Sequence, residues 1–147
     1  MTQYGKYPNA FYRLVVKTII KNTKDQILLV KENSDDWDLP GGGIDHGETV
    51  QDALKRELAE EISYNGAIDT ILLGTQPIYS KRADICVMFV VYSVTLRDPY
   101  EPRAGADASV VEYRDLPDSP AGLMTRSDEL MYKFAVDPSY MIDFLPK

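Results

Sequence analysis

The segment Thr49 to Ser63, TVQDALKRELAEEIS, has the periodicity of a helix, yet its glutamates fall where its apolar residues fall. With Glu57 as origin and an advance of about 100° per residue, Glu61 lies at about +40° and Glu60 at about −60°. Val50, Ala53 and Leu54 share that side, while Lys55, Asp52 and Ala59 occupy the opposite one. Thr49 is placed to cap the helix, with Asp52 three residues on in the position of a capping box. Upstream, Pro40 and the glycines Gly41 to Gly43 are expected to break any regular element. Three carboxylates on one turn repel each other, and burying them costs free energy. Either this is a surface helix with solvated glutamates, or the carboxylates are gathered around a cation.

The kind of cation is limited by what the chain lacks. It has one His, His46, and one Cys, Cys86, so a Cys/His zinc site and an internal disulfide are both excluded. Oxygen-only ligands suit hard cations such as Mg²⁺ or Mn²⁺. Cys86 falls in the apolar run Ile85 to Tyr92, where a buried reduced thiol is expected.

Around the helix the chain reads as α+β. Residues 11–21 and 26–32 are rich in aliphatic and β-branched residues, and the polar Asn22 to Asp25 between them predicts a β-hairpin. Residues 68–80 and 84–97 predict a second hairpin, turning at Lys81 to Ala83. Asp98 to Ala108, with Pro99, Pro102 and Gly105, is a long loop of the sort that often carries function. A short strand at 109–114 and a C-terminal helix at 127–136 complete the pattern. At 147 residues, a single domain over 1–147 is expected. A net charge of −7 argues against a broad nucleic-acid surface and against attraction to anionic lipid. The start MTQYGKYPNAF does not read as a signal peptide and no apolar run can span a bilayer, so a cytoplasmic protein is the expectation.

From Gly42 the sequence runs G-G-I-D-H-G-E-T-V-Q-D-A-L-K-R-E-L-A-E-E-I-S-Y. It resembles the signature of the Nudix hydrolases, G-x5-E-x7-R-E-U-x-E-E-x-G-U, where U is a bulky aliphatic residue. Gly42, Glu48, Arg56, Glu57, Leu58, Glu60 and Glu61 fall in register over the box 42–64, and the lead-in W-D-L-P-G-G is also similar. Ser63 stands where the signature has Gly, and Tyr64 where it has an aliphatic residue, which puts the helix exit in question but touches no carboxylate.

The resemblance implies an α/β/α sandwich with a mixed central sheet, one metal-binding helix and a C-terminal helix. It implies a hydrolase that cleaves the diphosphate bond of a nucleoside diphosphate linked to another group, with Mg²⁺ or Mn²⁺ as cofactor. Glu57 and Glu61 would be the principal metal ligands, Glu60 a direct or water-mediated one, and the Gly41 carbonyl a further one. Arg56 and Glu48 would tie the loop to the helix, around Gly42; on physical grounds alone Arg56 could instead contact a substrate phosphate. Glu57, Glu60 or Asp107 would take the proton of the attacking water. Asp107 lies in A-G-A-D-A, which resembles the A-G-D-D-A of some family members and leans toward ADP-ribose or a nucleotide sugar over a nucleoside triphosphate. A solvated loop residue is the other reading of Asp107, and Glu101 and Glu112 are runners-up. The family pattern permits a homodimer. A nucleotide-sensing module without activity is the alternative, and the presence of all three helix glutamates argues for the enzyme.

Other residues carry weaker signals. His46 reads as an exposed loop residue rather than a base. Trp37 and Tyr12 could stack on a base or simply pack. Arg13, Lys17, Lys31, Arg82 and Arg103 are candidate phosphate contacts among which the sequence does not choose, with Arg13, Trp37 and Arg82 taken as substrate-binding candidates.

Overall fold

The computed structural model describes residues 11–145; the N-terminal stretch read above for a targeting signal lies almost wholly outside them. In chain order the elements are β1 (Tyr12–Ile19), β2 (Ile27–Lys31), β3 (Gly41–Gly43), α1 (Val50–Ile62), β4 (Ile68–Ser80), β5 (Ile85–Leu96), β6 (Val110–Arg114) and α2 (Arg126–Ala135). A mixed four-stranded sheet has the order β3-β1-β5-β4, and β2 pairs with β6 in a second, antiparallel sheet. The α+β class expected from the sequence is the observed one.

Alternation along β1 organises the packing. Val16 packs with Ala53 and Leu54 of α1, while Ile19 joins Leu130 and Met131 of α2 in another cluster. Ile20 meets Leu58 and Ile62 of α1, together with Leu28 and Val30 of β2. Leu54, Leu58 and Ile62 are fully enclosed, and each contributes roughly 1.5–3 kcal/mol by leaving water. The inner face of α1 is thus anchored at both ends, with its glutamates held between. No helix among the described residues is long and apolar enough to cross a membrane.

Three expectations need correction. Residues 20–28 do turn back, with Leu28 N–H donating to the Ile20 carbonyl at 2.8 Å and Asn22 Oδ1 accepting from Gln26 N–H at 2.9 Å. Beyond that turn the strands part, because the two edges of β1 are taken by β3 and β5, and β2 goes to β6. The glycines 41–43 form a strand rather than a break, since β1 pairs them through backbone alone. Cys86 is half-buried on β5 rather than enclosed. The second hairpin, β4 with β5, forms as expected, with an irregularity between Leu72 and Gly74.

The ends of α1 explain the long loop. Thr49 and Asp52 form the capping box at its start. At its end Ser63 takes the left-handed conformation, φ 53°, without the help of a glycine. The terminal carbonyls are then satisfied from the 98–108 loop. Asp107 N–H donates to Glu60 O at 2.9 Å, Gly105 N–H to Glu61 O at 2.8 Å, the Tyr100 hydroxyl to Ile62 O at 2.9 Å, and Arg103 Nη2 to Ser63 O at 3.2 Å. Ser63 Oγ returns a bond to Ala104 O at 3.1 Å. Tyr64 replaces an aliphatic residue but is buried with its hydroxyl bonded to Ala67 O at 2.6 Å and its ring edge-on to Tyr100.

Replacing Ser63 by Gly relieves the left-handed strain and loses one exposed hydrogen bond. We expect Ser63→Gly to stabilise the fold by about 0.5–1 kcal/mol, read as a higher urea or thermal midpoint; a lower midpoint would show that the Ser63–Ala104 link matters more than the strain.

Candidate active site

Helix α1 turns Glu57 and Glu61 inward, with relative exposures of 9% and 1%, and leaves Glu60 half-buried beside them. Arg56 gathers the surroundings with five hydrogen bonds. Its Nε and Nη2 grip the two Glu48 oxygens at 2.9 and 2.8 Å, and Nη2 also donates to Gly43 O at 2.9 Å. Nη1 donates to Glu57 Oε1 at 2.9 Å and to Glu60 Oε2 at 3.3 Å. The Glu48 contact and then the Glu57 contact raise the Arg56 pKa against the opposing effect of burial. Glu48 is held below the usual carboxylate range, first by Arg56 and then by the Asp45 N–H.

Strand β3 supplies the opposite support. It lies at the edge of its sheet, and its peptides reach α1: Gly41 N–H donates to Glu61 Oε2 at 3.2 Å, as Gly43 O accepts from Arg56. A Cβ on Gly42 would lie 2.3 Å from Glu57 Oε1, so the absence of a side chain there makes room for the carboxylate. Gly41 has φ +142°, and a Cβ there would meet Val16 O at 2.0 Å, a backbone clash with no relief.

Glu57, Glu60 and Glu61 line a cleft of about 510 Å³ with Gly41, Gly42, Glu32, Asn33 and residues 106–109. Asp107 therefore shares the cleft, brought there by its backbone bond to Glu60. Glu32 is the residue that sequence reasoning missed. It follows β2 directly, where the paired end of β6 holds it: Ser109 N–H donates to Lys31 O at 2.7 Å and Ser109 Oγ to Glu32 O at 3.2 Å. No local pattern marks Glu32, because only the β2–β6 pairing carries it to α1.

Burial pushes the Glu61 carboxyl well above its usual range, and the neighbouring Glu32 carboxyl pushes it further, against the pull of Lys17 and the Gly41 N–H. Among the described residues no three acidic, imidazole or thiol groups stand close enough to chelate an ion as they are now arranged, and Arg56 Nη1 is bonded to both Glu57 and Glu60. The donor set still fits a hard divalent cation. It is all oxygen, it faces one cleft, and its most buried member resists ionisation unless positive charge arrives.

The remaining candidates are placed elsewhere or differently. Lys17 is buried against Asp38 and Leu39 O, so it is not a free phosphate contact. Trp37 has Lys31 and Arg114 over its ring at 4.8 and 4.6 Å and packs against the core, so it does not line the cleft. The Arg13 guanidinium lies over Gly43, and Arg13 is not among the residues that line the cleft. Arg82 is exposed in the β4–β5 turn and Tyr12 is exposed at the start of β1. Arg103 caps α1, His46 is exposed in the loop before the helix, and Glu112 pairs with Arg114. Glu101 opens on a separate cavity beside Lys21 and Tyr113.

The family model described as NUDIX domain matches residues 11–134. The chain belongs to the NUDIX family. Over 65 residues it is 49% identical to a protein named RNA pyrophosphohydrolase from Ruthia magnifica subsp. Calyptogena magnifica, an alignment covering 44% of this chain and 36% of that one. Over 51 residues it is 49% identical to a putative 8-oxo-dGTP diphosphatase from Bacillus subtilis (strain 168), covering 34% of each. These alignments span about a third of the relatives' own length. A solved MutT NUDIX hydrolase from Burkholderia pseudomallei shares the fold, with TM-score 0.65 at 23% identity over 84% of this chain and 98% of that one.

Within this NUDIX chain the two glycines separate fold from site. Gly41→Ala should lower stability by several kcal/mol, about 3 or more, because backbone meets backbone at a strained φ. Gly42→Ala displaces only the Glu57 side chain, so the thermal midpoint should move little while divalent-cation affinity, read by calorimetry, falls. Equal loss of stability in both variants would contradict this division.

Proposed function

We propose that this NUDIX chain is a divalent-metal-dependent pyrophosphohydrolase acting on a nucleoside diphosphate linked to a further group. The observation that carries the reading is the inward, buried placement of Glu57 and Glu61 on α1, beside Glu60, in one cleft with Asp107. Relatives named RNA pyrophosphohydrolase and putative 8-oxo-dGTP diphosphatase support the reaction class. The A-G-A-D-A loop keeps ADP-ribose and nucleotide sugars among the substrates to test.

Glu57, Glu60, Glu61 and the Gly41 carbonyl would hold Mg²⁺ or Mn²⁺. When bound, the cation supplies charge neutralisation to the diphosphate and acidifies the attacking water. Arg56 and Glu48 hold the loop against the helix, and Gly42 leaves space for the Glu57 carboxylate. Asp107, exposed at the cleft and fixed by its backbone to Glu60, takes the proton from the attacking water. Among the described residues that line the cleft, polar groups such as Asn33 and Ser109 would orient the substrate beside the diphosphate.

A panel of ADP-ribose, nucleotide sugars, nucleoside triphosphates and 5′-triphosphorylated RNA, assayed with Mg²⁺ and Mn²⁺, tests the reading. Glu57→Gln should reduce turnover at least about a hundredfold without lowering the thermal midpoint. Turnover that survives EDTA, or full activity in Glu57→Gln, would contradict it.

A further inference from the structure

The four-stranded sheet ends at β4, and that edge is only half closed. β4 pairs with β5 along its length, and no strand among the described residues takes its other edge. Near the end of β4 the chain covers the edge itself: Tyr79 N–H donates to Phe144 O at 2.9 Å, and Gln76 Nε2 donates to Ile142 O at 3.5 Å. The covering segment 142–144 thus runs from Gln76 towards Tyr79, away from residues 70–75. Peptides two apart on a regular strand face the same edge. The Thr75 N–H therefore points outward as the Tyr79 N–H does, and Pro77 between them carries none. Beside Thr75, the side chains of Ile71, Leu72 and Leu73 are 68%, 55% and 40% exposed. No charged residue occurs from Thr70 to Ser80.

We propose that residues 70–75 of β4 are an association surface for a second copy of this chain, the two β4 edges pairing antiparallel about a two-fold axis. Three features select a second copy as the occupant. Identical strands that pair antiparallel are related by a two-fold, so each supplies the partner that the other lacks, and the contact closes at two. Next to the protruding side chains lies a hollow of about 270 Å³, lined by Leu73, Gly74, Thr75, Lys133, Phe134 and Pro138. Lys133, the one charged group in that lining, is bonded to Gln76 Oε1 at 3.0 Å. An axis near Leu73 sets Ile71 of each copy opposite Thr75 of the other, at the hollow, so a single partner meets both the protrusion and the recess. Finally, the chain carries a net charge of −7, so two copies repel where charged surfaces face each other and meet at least cost along an uncharged strand. The surface shares no residue with the cleft, and the inference stands apart from the proposed reaction.

Sedimentation of the full chain over about 1–200 µM, with hydrogen exchange followed at Thr75, tests this. The mass should rise to twice that of one chain, and exchange at Thr75 should slow as the concentration rises. Ile71→Lys sets like charges across the axis and should weaken association at least about tenfold. Thr75→Pro removes the outward N–H and keeps the apolar side chains, and should weaken association several-fold; it carries the test by itself if Ile71→Lys does not fold. Met124→Lys places the same charge on a side chain that is 90% exposed outside this surface, and should associate as the unaltered chain does. A monomer at every concentration would overturn the inference, including one whose Thr75 exchange is slow throughout because another part of the chain closes the edge. A dimer that survives both β4 variants, or one that Met124→Lys disrupts equally, would overturn it as well.

Discussion

The burial of two carboxylates on the inner face of α1 is the constraint around which the rest of the structure is arranged. Glu61 is as enclosed as the core leucines beside it. Left uncompensated, such a charge costs far more than the apolar contacts of one helix turn return. Around it, the Gly41 N–H donates to Glu61, Lys17 Nζ donates to Leu39 O two residues before Gly41, and Arg56 bonds the neighbouring Glu57 and Glu60.

That arrangement has a direction. Arg56 fills its five hydrogen bonds with the loop, β3 and the helix carboxylates, and so ties these three together. Glu32 and Asp107 come from the ends of the separate β2–β6 sheet and face the helix across the cleft. Acidic residues then outnumber the cations within reach. On the proposed function, an acidic protein would thereby offer a place to a divalent cation, and through it to an anionic diphosphate.

What the sequence made legible was what is local. The capping box, the helix, its inward glutamates and the β4–β5 hairpin depend on residues a few positions apart, and all are present. The parting of β1 and β2 was not legible, because it is decided by which distant strands occupy the edges of β1. Nor was the Gly41–Gly43 strand, since glycines have no side-chain preference for a sheet and are recruited by β1's backbone. The long loop announced itself by length, but its role as the cap of α1 follows from the missing glycine at Ser63 only once the fold brings Tyr100, Arg103 and Gly105 to the helix end. Glu32 and Lys17 had no motif at all; tertiary pairing alone places them.

The central claim is that the inner glutamates of α1 form a cation site, two of whose carboxylates are now bonded to Arg56. Anomalous diffraction from crystals soaked in Mn²⁺ tests it most directly. The account predicts an anomalous peak in the cleft within bonding distance of Glu57, Glu60 or Glu61 oxygens, with the Arg56 contacts to Glu57 and Glu60 lengthened and its grip on Glu48 kept. A cleft without a peak at saturating Mn²⁺, with Arg56 still bonded to both glutamates, would contradict it.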